Sequence, residues 1–318
     1  MAVSVIRFER GERIRWGVVQ DSKVFAIPGE YETTGEFIRT VSGDEERLAQ
    51  TTEAFPRSEV KTLSPVTRNQ QFICLGANYR QHMLESGIDP DTKHYNMMFT
   101  KAPGSIVSAD SEVIKPRCVR FLDYEIEVGL VIKRDVTQNV SINEENLADF
   151  VAGIVIVNDY SARDIQIPEG QFYKGKSFRT FAPVGPILCL LTPAEMHYLK
   201  ELQLSLTVNG EVRQRDSTAN LVNGPAETLT ELSGVHDLAA GDLISTGTPS
   251  GCALAVPSPF KQRLAAMLPE AVKWSLFLKA QERRTQYLKT GDVVESQIRS
   301  SDGAIDLGIQ RNVVVEGR

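Results

Sequence analysis

The apolar positions of this chain fall mostly into short runs and alternations of strand length, separated by turn residues, with a few stretches at helical spacing. Ser4–Phe8, Arg13–Val19 and Lys23–Ala26 read as strands, followed by helices near Thr34–Val41 and Asp44–Ala54. Pro56, Ser64 and Pro65 then interrupt the pattern and mark a boundary. The pattern therefore predicts a small α+β unit over residues 1–65 and a larger, mainly β unit over 66–318.

In the larger unit, Phe72–Leu75 predicts a strand running into a helix over Tyr79–Ser86, which Gly87 stops. Met97–Lys101 and Ser105–Ile114 continue in strand style. Asp123–Ile132 and Val151–Tyr160 are long apolar runs without proline and predict buried strands. Asn143–Asp149 predicts a short helix, and a helical turn begins at Ser161. Leu202–Val208 and Val212–Gln214 flank Asn209-Gly210, a type I′ hairpin signal. Pro225–Leu232 predicts a helix, and Asp242–Thr246 a strand ending in a Gly-Thr-Pro-Ser-Gly loop. A helical pair is expected over Ser258–Leu288. In it Pro269 opens the second helix, and Phe260, Leu264, Met267, Val272, Leu276 and Ala280 are near helical spacing. Its expected role is packing or a dimer contact rather than a lid. Asp292–Ile298 and Ile309–Val315 close the chain as a second hairpin.

Composition narrows the class. At 318 residues, 42% hydrophobic and 24% charged, the chain is an ordinary globular protein. A net charge of −6 without any long basic run argues against nucleic acid as partner. No apolar stretch is long enough for a membrane span, and Met1–Gly17 lacks the apolar core of a signal peptide. Cys74, Cys118, Cys189 and Cys252 are far apart, with no C-x-x-C pair. They read as thiols in a reducing cytoplasm.

Candidate chemistry is concentrated in four places. In the Asp123–Ile132 strand, alternation puts Glu125 and Glu127 on one face, about 6.5–7 Å apart at Cα. Two carboxylates on so apolar a strand repel each other, and a divalent cation with oxygen ligands would compensate them. An exposed strand face with two solvated glutamates is the commoner origin of such a pair. Asp159, at the end of the next apolar run, is placed to point into a cleft. On the Tyr79–Ser86 helix, His82 and Glu85 are three apart and share a face, so the carboxylate can orient the imidazole; an exposed surface pair is again the commoner origin. Finally, Gly170 to Ser177 satisfies G-x-x-x-x-G-K-S, the pattern of a phosphate loop. No strand leads into it and Pro183 follows where a helix is needed, so nucleotide binding is not expected.

Seven blocks in order make the chain resemble the fumarylacetoacetate hydrolase superfamily over roughly residues 66–318. They are Gly76-x-Asn78-Tyr79-x-x-His82-x-x-Glu85, Asp123-Tyr124-Glu125-x-Glu127, Asn158-Asp159-x-Ser161-Ala162-Arg163-Asp164-x-Gln166, Lys176-Ser177-Phe178, Val208-Asn209-Gly210-Glu211, Gly241-Asp242-Leu243-Ile244-x-Thr246-Gly247-Thr248-Pro249 and Gly291-Asp292-Val293-Val294-Glu295. The resemblance implies a mixed β-roll or sandwich core, α+β but mainly β, with a small N-terminal domain and usually a homodimer. It implies metal ligands at Glu125, Glu127 and Asp159, for Mg²⁺ with Mn²⁺ or Ca²⁺ as alternatives. Catalytic residues are implied at His82, Glu85 and Lys176, and substrate contacts at Lys101, Arg163, Gln166 and Thr248. Leu75 stands where the long eukaryotic fumarylacetoacetases carry a fourth carboxylate, so the chain is similar to the shorter, acylpyruvase-like branch.

Three carboxylates leave about three of six positions open on Mg²⁺, enough for a 2-oxo acid. The implied reaction is hydrolysis of a carbon–carbon bond in an acylpyruvate or related diketo acid through an enolate held by the metal. A decarboxylase of the oxaloacetate type, a hydratase-like lyase, and an isomerase or tautomerase of a 2-oxo acid would pass through the same enolate.

Overall fold

The computed structural model describes residues 2–51, 53–92, 95–256 and 267–317. The fold is a sheet-dominated α+β architecture. Among the described residues, thirteen strands form one large sheet and five form a second.

The large sheet is centred on Ile126–Ile132, in which every residue is buried. Its side chains alternate as the pattern required: Ile126, Val128, Leu130 and Ile132 join one apolar core, and Val131 joins the other. Val151–Asn158 pairs with it antiparallel on one side and Leu243–Ser245 on the other. Phe72–Gly76 runs parallel to Leu243–Ser245 and carries Met97–Thr100 on its outer side. Gly129 is required by the close packing here, because a Cβ would come 2.8 Å from both Leu243 Cδ1 and Val157 Cγ2.

The second sheet contains Gln203–Val208, Glu211–Ser217, Val293–Arg299, Asp306–Glu316 and Val113–Lys115. It packs on the first through apolar side chains and a few buried polar ones. Gln310 donates to the Pro183 and Gly185 carbonyls, and Asn158 to Ser296 Oγ. The Asn209-Gly210 turn has φ of 53° and 82°, the two positive values that a type I′ turn demands.

The N-terminal strands Val3–Arg10, Arg13–Gln20 and Lys23–Ala26 form a meander. Val3–Arg10 also pairs with Leu188–Leu190 of the large sheet. Trp16 stacks on Phe37 of the helix Thr34–Val41, with ring centroids 3.9 Å apart.

Several elements differ from expectation. The second N-terminal helix stops at Ala49, and Ala54–Pro56 is a strand, because Phe55 is buried opposite Val24. Only Leu147–Asp149 is helical within 143–149. Ser161 does not cap a helix. Ser161–Ala162 pairs with Leu122–Asp123, and the helix Arg163–Glu169 follows from Ala162. In the phosphate-loop match, Gly170 ends one helix with φ 61°, and Phe172–Lys176 forms the next. Lys176 therefore closes a helix instead of opening one. Of the helical pair over 258–288, Phe260 and Leu264 lie outside the described residues. The second helix runs Glu270–Glu282 after Pro269, as expected, but Met267, Val272 and Leu276 are exposed and only Gln281 is buried on it. No described helix is long and apolar enough to cross a membrane.

Candidate metal centre and active site

The site forms where Ile126–Ile132 begins. Leu122–Asp123 and Ile126–Ile132 are separate strands, so the expected continuous strand is broken at Tyr124-Glu125. The break has local causes. Asp123 Oδ1 accepts from the Tyr124 amide, and the Glu125 amide donates to the Asn158 side chain at 3.0 Å instead of to a neighbouring strand. The Asp159 amide donates to the Glu125 carbonyl at 2.8 Å, which locks the two residues together. Glu125, Glu127 and Asp159 are all buried, and one oxygen from each lies within 4.8 Å of the others.

Three buried cations surround these carboxylates. Lys176 Nζ donates to Glu125 Oε2 at 2.7 Å and also to Asp159 Oδ2. Arg163 donates from Nη2 to Glu125, from Nε to Asp123 at 2.8 Å and from Nη1 to Gln166 at 2.8 Å. Lys101 donates to Asp159 and to the Tyr160 and Phe181 carbonyls. It therefore stands behind Asp159 with its donors occupied.

Asp123 is the least available acid. Its two oxygens accept from Tyr124, Ala253 and Leu254 amides as well as from Arg163. Glu127 has no cation against it among the described residues. It accepts from Ser245 Oγ and from the Gly247 amide at 3.0 Å. The contrast sets the protonation states. Burial pushes Glu125 up, but Arg163 and Lys176 outweigh it and hold the carboxyl well below the usual range. Burial, then Asp159 and Glu125, push Glu127 up to about 8. Burial lowers Lys176, but Asp159 and Glu125 raise it further, so it stays charged. One acid thus exceeds the charge its neighbours neutralise, in a cluster whose donors are all hard carboxylate oxygens. That set fits a divalent oxygen-seeking cation.

Glu125 and Glu127 line a cavity of about 180 Å³, with Asp159 beside them. His82, from the helix Arg80–Glu85, also lines it. Its Nδ1 is buried without a hydrogen-bond partner among the described residues. Burial lowers the His82 pKa, opposed chiefly by Glu125, so the imidazole is neutral at neutral pH. Glu85 is exposed, and among the described residues it is not a hydrogen-bond partner of His82 Nδ1. Arg163, Gln166, Lys176 and Thr248 all line the cavity, whereas Lys101 does not. Thr248 Oγ1 donates to the Ile126 carbonyl and accepts from Gln214.

Sequence reasoning missed Gln214, Ser245 and the apolar wall of the cavity, which includes Leu75, Met97, Phe99 and Phe172. Gln214 sits in a hairpin strand rich in polar residues, where only the register with the facing sheet turns it inward. There it accepts from the Ile126 amide at 3.1 Å and donates to the Pro249 carbonyl. Ser245 carries no motif of its own. Its position opposite Gly129 is what aims it at Glu127.

Comparison with known proteins supplies the context. The family model for the fumarylacetoacetate hydrolase C-terminal region matches residues 71–315. The chain is 39% identical over 201 residues to the oxaloacetate tautomerase YisK of Bacillus subtilis, a match spanning 61% of this chain and 64%, just under two thirds, of that protein. It is 31% identical over 312 residues to a 2,4-didehydro-3-deoxy-L-rhamnonate hydrolase of Sphingomonas, covering 98% of this chain and 95% of that one. Among solved structures, a fumarylacetoacetate hydrolase from Exiguobacterium antarcticum superposes with a TM-score of 0.74 at 28% identity, covering 99% of this chain and 100% of the other.

Proposed function

The chain belongs to the fumarylacetoacetate hydrolase family, and from that premise we propose that it is a divalent-metal-dependent hydrolase. It cleaves a carbon–carbon bond in a short acylpyruvate or related diketo acid. The observation that carries this reading is the cluster of Glu125, Glu127 and Asp159, two of which, Glu125 and Glu127, line a cavity together with His82 and Lys176.

The three carboxylates would hold the cation, with Mg²⁺ the first choice and Mn²⁺ or Ca²⁺ alternatives. A bound cation supplies Lewis-acid polarisation of the 2-oxo group and charge for the developing enolate. The protein's own groups do the rest. Lys176, charged and fixed by two carboxylates, faces the substrate's acid end and offsets its charge. Thr248 and Gln166 border the same end and orient it. His82, neutral and with an unpartnered nitrogen, takes a proton from a water. That water's oxygen bonds to the distal carbonyl carbon. The bond between that carbon and C3 of the pyruvate unit breaks, and its electron pair forms the pyruvate enolate. The imidazolium returns its proton to C3. Glu85 acts on His82 only through its charge from the next turn, and Glu125 is the stronger electrostatic partner.

A second reading, isomerase or tautomerase of a 2-oxo acid, is favoured by one observation. Among the described residues His82 Nδ1 has no hydrogen-bond partner, and proton removal and return at C3 needs only a neutral imidazole. The tautomerase among the relatives points the same way. Product analysis separates the two. Acetylpyruvate with Mn²⁺-loaded protein should yield pyruvate and acetate by NMR. Keto–enol interconversion of a 2-oxo acid without cleavage products would establish the second reading. The proposal also takes the protein to be a cytoplasmic homodimer, acting on a small molecule and not on nucleic acid.

A further inference from the structure

Of the seven residues of the hairpin strand Glu211–Ser217, Gln214 alone is buried. A buried amide gives up its hydration, and a methionine would pack in the same space without that loss. Gln214 is compensated by one set of partners. Its Oε1 accepts from the Ile126 amide at 3.1 Å, and its Nε2 donates to Thr248 Oγ1 and to the Pro249 carbonyl at 2.9 Å each. The Cys252 sulfur, 3.7 Å from Nε2, is a weaker neighbour. The Ile126 amide can only donate and the Pro249 carbonyl can only accept, so these two fix which end of the Gln214 side chain is which.

That direction passes to Thr248. Its hydroxyl accepts from Nε2, so its own proton goes to the Ile126 carbonyl, 3.0 Å away. The bonds therefore close a ring, from the Ile126 amide to Gln214, from Gln214 to Thr248, and from Thr248 back to the Ile126 carbonyl. Ile126 is the residue between Glu125 and Glu127. Its N–H belongs to the peptide shared with Glu125, and its carbonyl to the peptide shared with Glu127. The ring thus holds both peptide planes that relate the two acids. Behind it the hairpin and the loop after Thr248 are in direct contact: Gly251 has φ 102°, and a Cβ there would come 2.1 Å from the Arg213 carbonyl oxygen.

We propose that Gln214 is a positioning residue for the metal centre, which sets the relative orientation of Glu125 and Glu127 through this ring. Arg163 and Lys176 hold the carboxylate of Glu125, and Ser245 and Gly247 that of Glu127. Gln214 acts instead on the backbone between them. It also joins Thr248, which lines the cavity, to the same frame. The inference rests on the proposed reading of the three carboxylates as a divalent-cation site.

The test is Mn²⁺ binding by calorimetry, together with the electron paramagnetic resonance spectrum of the bound ion, which reports the symmetry of its ligands. The variants are Gln214→Met, Thr248→Val, Thr248→Ser and the Gln214→Met/Thr248→Val double variant, each first checked for cooperative unfolding. Gln214→Met and Thr248→Val should each weaken Mn²⁺ binding by about 10–100-fold, the range for partners of metal ligands, and should alter the spectrum. Thr248→Ser keeps the hydroxyl and should retain both affinity and spectrum. The double variant should bind no more weakly than the weaker single variant, because either change opens the same ring. Additive losses, or Thr248→Ser as weak as Thr248→Val, would overturn the proposal. So would a lowered Tm with affinity and spectrum unchanged in Gln214→Met and Thr248→Val, which would leave Gln214 a packing residue and the metal centre intact. Absence of Mn²⁺ binding by the unsubstituted protein would overturn the metal reading and this inference together. If Gln214→Met does not unfold cooperatively, the comparison of valine with serine at position 248 decides alone.

Discussion

The Ile126–Ile132 strand and the Glu270–Glu282 helix are opposites in how far the rest of the molecule holds them. Each strand residue is buried, its two faces feed two different cores, and the residues at its start are tied to both sheets by side-chain hydrogen bonds. The helix is nearly twice as long, yet only Gln281 is buried on it, with Leu278 partly packed against the core. Buried, cross-braced polar groups hold a fixed geometry, because each lost partner leaves an unsatisfied group behind. The strand is therefore where a charged site can be preorganised, and the helix is where change is tolerated.

Graded substitutions can break this comparison. The largest effect is expected beside the strand's carboxylates. His82→Ala should lower turnover by about 10²–10⁴-fold, the range for loss of a general base, with Mn²⁺ affinity unchanged. Single-turnover kinetics with saturating metal check it, and unchanged turnover would remove His82 from the chemistry. Next comes Ser245→Ala, which deletes a hydrogen bond to Glu127. Partners of a metal ligand are worth about 10–100-fold in affinity, and calorimetry with Mn²⁺ should show a loss in that range.

The third test uses protons. Glu127 is pushed up to about 8, against an ordinary value of 4.5. Below pH 8 a metal must displace its proton, so apparent Mn²⁺ affinity should rise about tenfold per pH unit up to that point and then level off. The metal-free fold gives the matching sign. An acid whose folded pKa is raised contributes stability that is complete below 4.5 and lost as pH rises through 8. The Tm of the metal-free protein should fall across that window, and metal should suppress the fall. A flat Tm in the metal-free protein would contradict the burial of an uncompensated Glu127. The smallest effect belongs to the helix: Leu276→Ser, at a side chain 51% exposed, should change unfolding free energy by no more than about 0.5 kcal/mol. A larger loss in denaturant titrations would show that the helix is held more firmly than its exposure indicates.

The same contrast explains what could be read from the chain alone. The strand's apolar run, the Glu125–Glu127 spacing and the Asp159 terminus are local patterns. So is Asn209-Gly210, and each has its counterpart in the structure. The break at Tyr124-Glu125 was not legible, because it depends on an amide bonding Asn158, distant in sequence. Lys101 and Lys176 read alike as cations near the site. Only the tertiary arrangement sends one behind Asp159 and the other onto two carboxylates. His82 and Glu85 share a helical spacing, but burial reaches one and not the other. The apolar wall comes from separate segments, so no single window of sequence contains it.

The central claim is that Glu125, Glu127 and Asp159 together hold one divalent cation, and electron paramagnetic resonance of Mn²⁺ titrated into the protein tests it most directly. The account predicts loss of the free-ion signal at one equivalent per chain at pH 8, competition by Mg²⁺, and no such loss in Glu127→Ala that still unfolds cooperatively. Free Mn²⁺ signal undiminished by the unsubstituted protein, or an equal loss in Glu127→Ala, would contradict it.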